Sequence, residues 1–245
     1  MRLIQITDCH LHADPEARSR HGVPHRQLER VVEAAARLSP DRVVVTGDIS
    51  EDRTAASYAE AERLLAPLAC AWCWLPGNHD EPGLMADRRP LHDTLDLGGR
   101  RLLLLDTQCI GQAAGTLGET RLAALRARLA EDGRPTLLAM HHPPVAVGSA
   151  WMDALGLTDA AAFWESLAGH AHIEAVFCGH VHQAFAGHGP VSSGRIPVYG
   201  CPSTSDQFLP GSADFAVDEA AGPGFRVIDL GREGLATWVE RVEQA

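Results

Sequence analysis

Along most of the chain, segments with the hydrophobic pattern of a β-strand alternate with segments that have the pattern of an α-helix. Short apolar runs of the strand type are separated by segments in which apolar residues recur every three to four positions, as in an amphipathic helix. A helix is predicted over 25–38, where the pattern stops at Ser39-Pro40, and a buried β-branched strand follows over 42–46. This alternation predicts an α/β fold with right-handed crossovers.

The rest of the chain continues this pattern as far as residue 185. Further strands are predicted over 2–6, 71–75, 101–106, 136–140 and 173–178, and further helices over 54–66, 119–131 and 158–169. Beyond residue 185 the pattern changes to short strands and turns, with strands at 191–193, 196–200, 225–230 and 235–241. Because no repeat, linker or low-complexity tract interrupts it, a single domain over 1–245 is predicted.

Five of the apolar strands are each followed by a short loop with side chains of the metal-binding type. These loops contribute Asp8, His10, Asp48, Asn78, His141, His180 and His182. Ligand sites in open α/β sheets lie at the carboxyl ends of the strands, so the loops are expected to converge. Alternate residues of extended backbone share a face, which predicts that Asp8 and His10 reach one ion while Cys9 points away.

The candidate donors are nitrogen and oxygen atoms without a thiolate. That set suits Mn, Fe, Zn or Co and disfavours a structural zinc finger. Seven donors are too many for one ion and suit two. Two ions about 3.5–4 Å apart hold a phosphoryl group and generate a nucleophile from water at neutral pH.

Composition narrows the classes of function. A net charge of -11 argues against binding along a nucleic-acid backbone, and all 21 basic residues are Arg, which excludes lysine Schiff-base chemistry. No apolar run reaches the length of a membrane span, and the first residues do not resemble a signal peptide. Six scattered cysteines indicate a reduced protein. A cytoplasmic protein without a membrane partner is therefore expected.

The motifs taken in order resemble a known family. Asp-x-His, Gly-Asp, Gly-Asn-His-Asp, His-His-Pro-Pro and Gly-His-x-His, between residues 8 and 182, are similar to those of the calcineurin-like metallophosphoesterases. The resemblance implies a four-layer α/β/β/α sandwich, the metallo-dependent phosphatase fold. It also implies two divalent ions, Mn or Fe in the first place and Zn or Co as alternatives.

The same resemblance assigns ligands to the two ions. One ion is expected to bind Asp8, His10, Asp48 and His182. The other is expected to bind Asp48, Asn78, His141 and His180. Asp48 would then bridge the ions, and a hydroxide between them would attack phosphorus in line with the departing oxygen.

His79 is the catalytic candidate outside the ligand set. Beside Asn78, it is placed to hydrogen-bond a phosphoryl oxygen or to protonate the leaving alkoxide, and Asp80 is expected to orient it. The alternative is a purely structural histidine. Among the other histidines, His12 either touches substrate or lies in a solvated loop, and His25 is expected at the surface.

A closer resemblance lies outside the ligands. Segments 148–153, 202–208, 215–218 and 224–226 are similar to the bacterial class III cyclic nucleotide phosphodiesterases of the Icc/CpdA type. The implied reaction is hydrolysis of 3′,5′-cyclic AMP to 5′-AMP, with a small-molecule phosphodiester as substrate. Thr204 and Gln207 are expected to bind ribose or base, or else to form a turn that closes the second sheet.

Two alternative functions stay open at this stage. The first is a broader phosphodiesterase that acts on 2′,3′-cyclic nucleotides or glycerophosphodiesters, because pocket loops set specificity. The second is a non-catalytic binding module on the same fold, which the complete set of seven donors disfavours. By analogy with the family, a homodimer is also open.

Overall fold

Two mixed β-sheets form the centre of the protein, in a computed structural model that describes residues 1–191, 194–232 and 234–243. The strands are β1 (Arg2–Ile6), β2 (Arg42–Thr46), β3 (Ala71–Leu75), β4 (Thr94–Asp96), β5 (Arg101–Leu105), β6 (Thr136–Met140), β7 (Ile173–Cys178), β8 (Ala186–Val191), β9 (Gly194–Gly200), β10 (Gly224–Leu230) and β11 (Leu235–Arg241). The helices are α1 (Pro24–Arg37), α2 (Ala55–Leu65), α3 (Pro82–Arg88), α4 (Gly118–Glu131), α5 (Ala150–Asp153) and α6 (Ala160–Ser166).

Each sheet has a parallel core. The first has the order β11-β10-β1-β2-β3, in which β1, β2 and β3 are parallel and β10 is antiparallel to β1. The second has the order β4-β5-β6-β7-β9-β8, with β5, β6, β7 and β9 parallel. Because parallel strands end at the same edge, the loops after β1, β2 and β3 lie on one side of the first sheet, as those after β6 and β7 do in the second.

Alternation along the strands divides the buried apolar residues into three layers. In β2, Val43 and Val45 pack against α1 and α2, whereas Val44 faces the second sheet. In β6, Leu138 and Met140 pack with α4 and α6, whereas Leu137 faces the first sheet. One apolar interface lies between the two sheets, and one lies between each sheet and its helices. These three interfaces make the four-layer α/β/β/α sandwich, so the predicted fold is confirmed.

Buried polar contacts join the two sheets near the strand ends. The amide of Gln5 on β1 donates to the hydroxyl oxygen of Thr46 at 2.9 Å and to the carbonyl of Cys178 at 3.0 Å. A β-carbon at Gly179 would overlap Thr7 and the carbonyl of Thr46. The sheets therefore approach closely where the loops with the candidate ligands begin.

Several predicted boundaries hold, and four short elements were missed. Strands at 2–6, 42–46, 71–75, 136–140 and 173–178 have the predicted bounds. The sequence pattern missed α3, β4 and α5, because helices of seven residues or fewer and a strand of three residues show too little periodicity. It also missed β8 except for Val191, because this strand has no apolar run, and α6 is shorter than the predicted helix over 158–169. Part of the strand predicted at 191–193, and residues 233, 244 and 245 of the predicted domain, lie outside the described residues.

Among the residues described, no helix is both long and apolar enough to cross a membrane.

Candidate metal centre

The candidate ligands converge on one site, through a backbone that differs from the predicted one. Asp8, His10, Asp48, His180 and His182 all have positive φ, between 47° and 66°. They are five of the eight non-glycine residues with positive φ in the described part of the chain. The extended backbone predicted through Asp-x-His was therefore wrong. These left-handed residues turn the chain sharply after β1, β2 and β7, and such strain is concentrated at functional sites.

One half of the site combines donors that follow β1 and β7. Nε2 of His182 lies 3.2 Å from a carboxylate oxygen of Asp8 and 3.3 Å from Nε2 of His10. Nε2 of His10 lies 3.8 Å from Oδ2 of Asp48. Two donors bound to one ion at about 2.1 Å are themselves roughly 3–3.5 Å apart. The two contacts of His182 have this spacing of a coordination shell, and the His10–Asp48 pair is slightly wider.

The other half combines donors that follow β2, β3, β6 and β7. Nε2 of His141 lies 3.3 Å from Oδ2 of Asp48, 3.1 Å from Oδ1 of Asn78 and 3.2 Å from Nδ1 of His180. Oδ2 of Asp48 is therefore close to donors of both halves. All seven predicted ligands are brought together, and Asp48 lies where a shared ligand would.

Hydrogen bonds on the outer side of three imidazoles fix their tautomers. Nδ1 of His10 lies 2.7 Å from Glu51, Nδ1 of His141 lies 2.8 Å from the carbonyl of Thr46, and Nδ1 of His182 lies 2.7 Å from the carbonyl of Asp206. Each Nδ1–H donates outward, which leaves the Nε2 lone pair directed into the site. Lone pairs of neighbouring imidazoles that face each other repel unless a cation or a proton lies between them, so the donors fit a pair of metal ions.

Close packing at the metal centre depends on a glycine, and the nearby Cys9 thiol is not a metal donor. Gly47 has φ of 96°, and a β-carbon there would overlap the ring of His141. Burial raises the pKa of the Cys9 thiol to about 12, so it stays protonated at neutral pH. The centre therefore presents nitrogen and oxygen donors, as the sequence predicted.

The metal-free site carries protons on two of its imidazoles. Burial alone would lower the pKa of His10, but the hydrogen bond to Glu51 and the carboxylates of Asp48 and Asp8 raise it to about 9. Burial would also lower the pKa of His141, but the carboxylates of Asp48 and Asp8 raise it to about 9. Burial disfavours the charged form of Asp48 as well, but the nearby imidazoles hold its pKa well below the usual range.

These shifts predict a pH-dependent uptake of metal. A ligating imidazole must be neutral, so binding at pH 7 displaces a proton from His10 and another from His141. Affinity is expected to rise as the pH increases from 6 to 9, by up to about tenfold per pH unit for each displaced proton. Calorimetric titration of the metal-free protein with Mn²⁺, in buffers of different ionisation enthalpy, counts the released protons. Uptake that releases no proton would contradict the assignment.

His79 lies at the edge of the centre and is oriented by a residue that the sequence analysis missed. Nδ1 of His79 lies 3.1 Å from the carboxylate of Glu51, which also contacts His10. That hydrogen bond raises the pKa of His79 although burial opposes the rise. Glu51 follows Asp48 by three residues, a spacing that gave no signal on its own.

The structure corrects the role expected for Asp80. Its carboxylate accepts hydrogen bonds from the backbone N–H groups of Ile49 at 3.1 Å and Gly77 at 2.9 Å, and from the Tyr58 hydroxyl at 3.1 Å. Burial and the charge of Asp48 raise the pKa of Asp80 to about 6. Asp80 thus joins the loops after β2 and β3, and Glu51 takes the contact with the His79 ring that was expected of Asp80.

Thr204 and Gln207 are held by contacts within the protein. Thr204 is fully buried, and its backbone N–H donates to the carbonyl of Thr7 at 3.1 Å. The amide of Gln207 donates to the carbonyl of Ser203 at 2.7 Å, and its oxygen accepts from Arg241 at 2.7 Å. Both residues therefore stabilise the turn after β9, which was the alternative to substrate binding.

Two other histidines are placed by their contacts. His142 is buried, with Nδ1 2.8 Å from Thr107 and Nε2 3.1 Å from the carbonyl of Ala113, so it holds the loop after β5. His25 is 5% exposed, so its expected surface position was wrong, because the apolar stripe of α1 brings it inward.

A cavity of about 660 Å³ opens onto the metal centre, and His10, His79 and His182 form part of its wall. His12 also lines it. The remaining wall includes Arg18, Arg20, Phe208 and Phe215, none of which the sequence analysis assigned to the site. Its volume suits a small-molecule ligand.

Comparison with known families gives a match over most of the chain. The model of the calcineurin-like phosphoesterases matches residues 1–184. The chain is 38% identical to the 3′,5′-cyclic adenosine monophosphate phosphodiesterase CpdA of Pseudomonas aeruginosa, over 98% of this chain and 90% of that protein. It is 33% identical to the protein of the same name from Escherichia coli K12, over 99% of this chain and 90% of the relative.

Solved structures share the fold at low sequence identity. A dimetal phosphatase from Danio rerio superposes with a TM-score of 0.69 at 16% identity, over 100% of this chain and 97% of that one. A purple acid phosphatase from yellow lupin superposes with a TM-score of 0.62 at 12% identity, over 98% of this chain and 51% of that one. At these identities the likeness supports the fold alone.

Proposed function

Because the chain belongs to the calcineurin-like phosphoesterase family, we propose that it is a metal-dependent phosphodiesterase that hydrolyses 3′,5′-cyclic AMP to 5′-AMP. The single observation that carries the proposal is the convergence of seven donor side chains beside a cavity of ligand size. Relatives named as cyclic AMP phosphodiesterases, aligned over nearly the whole chain, support the choice of substrate.

The proposed ligand sets follow the two halves of the site. One ion would be held by Asp8, His10, Asp48 and His182, and the other would be held by Asp48, Asn78, His141 and His180. When bound, such a pair supplies Lewis acidity and a nucleophile at neutral pH. The nitrogen and oxygen donors favour Mn or Fe, with Zn or Co as alternatives.

His79 acts as the proton donor to the leaving oxygen. Glu51 accepts from Nδ1–H of His79, so the other ring nitrogen is available to the substrate. The Glu51 contact raises the pKa of His79 and so favours the protonated form, which can donate to the ribose oxygen that departs.

Arg53 holds the loop after β3 in place. Its guanidinium donates to the backbone carbonyls of His79 and Asn78, both at 3.0 Å. A single side chain thus fixes the positions of the proton donor and of one proposed ligand, and preorganised geometry of this kind contributes directly to rate.

A substrate panel on the purified, metal-loaded protein tests the proposal. We expect the highest kcat/KM for 3′,5′-cyclic AMP, with 5′-AMP as the product by chromatography, and loss of activity on chelation that Mn²⁺ restores. A rate on an aryl phosphodiester or on 2′,3′-cyclic AMP that exceeds the cyclic AMP rate by orders of magnitude would favour the broader phosphodiesterase. Stoichiometric metal without hydrolysis of any diester would favour the binding module.

The remaining expectations stay predictions. They are a single domain over 1–245, action in the cytoplasm, no nucleic-acid or membrane partner, and a homodimer as an open alternative.

A further inference from the structure

Three aromatic side chains form a continuous group that leads from the metal centre to the cavity mouth. The ring of Phe208 stacks on the proposed ligand His182, with centroids 4.0 Å apart and planes inclined by 7°. Phe215 meets Phe208 edge to face at 5.4 Å, and Trp151 meets both rings at 5.1 Å. Phe215 therefore lies next to Phe208, which contacts the proposed ligand His182 directly.

Phe215 is the member of this group that is accessible. It is 46% exposed, and its ring lines the same cavity as His10, His79 and His182. An exposed aromatic ring is common on protein surfaces and by itself needs no explanation. A ring held on two sides by other aromatic rings, inside the wall of a catalytic cavity, is preorganised to contact whatever enters it.

A flat cationic group already occupies a face of Phe215. The guanidinium of Arg20 lies 4.8 Å from the centre of the ring, so this face accepts a planar delocalised group. The Arg20 side chain is 64% exposed, and its ion pair with Asp206 is long at 3.9 Å, so it can shift when a ligand arrives.

The backbone that carries Arg20 is fixed to the metal centre. The carboxylate of Asp206 accepts hydrogen bonds from the Ser19 hydroxyl at 2.9 Å and from the N–H groups of Arg20 at 3.2 Å and His21 at 3.0 Å. The carbonyl of the same Asp206 accepts from Nδ1–H of His182. Arg20, Phe215 and the metal ligand are therefore held in one arrangement.

We propose that Phe215 is the stacking surface for the base of the nucleotide, which enters between its ring and the Arg20 guanidinium. The inference rests on the proposed function, since it presupposes a nucleotide substrate. Every base has a π-face that stacks on an aromatic ring, and purines offer the larger area. A base tethered to its phosphate through one ribose can reach this ring while the phosphate lies at the metal centre.

Phe208 also lines the cavity, but it is less exposed than Phe215, and His182 stacks on one of its faces. Trp151 is not part of the cavity wall and meets the ring of Phe215 edge to face at 5.1 Å. The two rings fix the position of Phe215, which is the exposed ring of the three.

A comparison of two ligands tests the assignment without relying on turnover. The metal-loaded protein is titrated calorimetrically with 5′-AMP and with ribose 5-phosphate, which lacks the base. We expect 5′-AMP to bind about tenfold or more tightly, and Phe215→Ala to reduce that preference by about tenfold. The ratio of kcat/KM for cyclic AMP to that for a base-free diester is expected to fall by a similar factor.

Two further variants serve as controls. Leu209→Ala removes another exposed apolar side chain of the same segment, outside the cavity wall, and should leave the preference for 5′-AMP unchanged. Phe215→Trp keeps a stacking ring and should retain the preference. Equal affinity of the wild type for both ligands, or an undiminished preference in Phe215→Ala, would overturn the assignment. Absence of cyclic AMP hydrolysis with an intact preference for 5′-AMP would instead remove the proposed function and leave the base site.

Discussion

Asp48→Asn is expected to lower kcat/KM by about a thousandfold or more, because this carboxylate is the donor that both halves of the site share. Its Oδ2 lies 3.3 Å from Nε2 of His141 and 3.8 Å from Nε2 of His10. Its Oδ1 accepts the backbone N–H of His79 at 2.9 Å. An asparagine oxygen can keep that hydrogen bond, which directs the amide NH₂ group into the centre, where it cannot bind a cation. Metal analysis should therefore find fewer than two ions per chain.

A matched control separates this effect from the general loss of a carboxylate. Asp159→Asn makes the same chemical change at a half-buried residue just before α6, whose carboxylate accepts the N–H groups of Leu117 and Gly118 at the start of α4. That variant should lose some stability to heat and keep its metal and its rate. Two ions and near-normal turnover in Asp48→Asn would show that the ions do not share this residue.

The parts of the fold that the sequence predicted are those in which burial alone determines structure. Strands such as β2 and β6 are covered on both faces, so the interior of each is a continuous apolar run. The candidate ligands could be predicted because parallel strands direct their final loops to one edge of a sheet.

The details of the loops depend on contacts between segments far apart in sequence. The left-handed backbone at Asp8 and His180 lies where the two sheets approach closely, which no local pattern reports. Glu51 gains its role only because the loop after β3 brings His79 within 3.1 Å of it. Thr204 was expected to bind substrate or to form a turn, yet it is fully buried, and its backbone N–H donates to the carbonyl of Thr7, far earlier in the chain.

His79→Ala is expected to lower kcat for cyclic AMP by about a hundredfold to ten-thousandfold while both metal ions stay bound. The polar side-chain contact that the structure describes for His79 is with Glu51. Removing the His79 ring therefore leaves the seven proposed ligands intact. If His79 protonates the departing oxygen, the loss should be smaller for a p-nitrophenyl diester, whose leaving group needs no proton. Equal losses for both substrates would assign His79 to binding the phosphoryl group, and loss of metal would make it a ligand.

Glu51→Gln distinguishes a positioned proton donor from a merely structural histidine. Glu51 raises the pKa of His79, so this pKa should be lower in the glutamine variant. His79 should then lose its proton at a lower pH. The limb of the kcat profile that falls with rising pH should therefore shift toward acid, while the metal content stays at two ions. Glu62→Gln, which alters a surface carboxylate paired with Arg88, should leave the profile in place. An unshifted profile in Glu51→Gln would show that this limb does not report the protonation of His79.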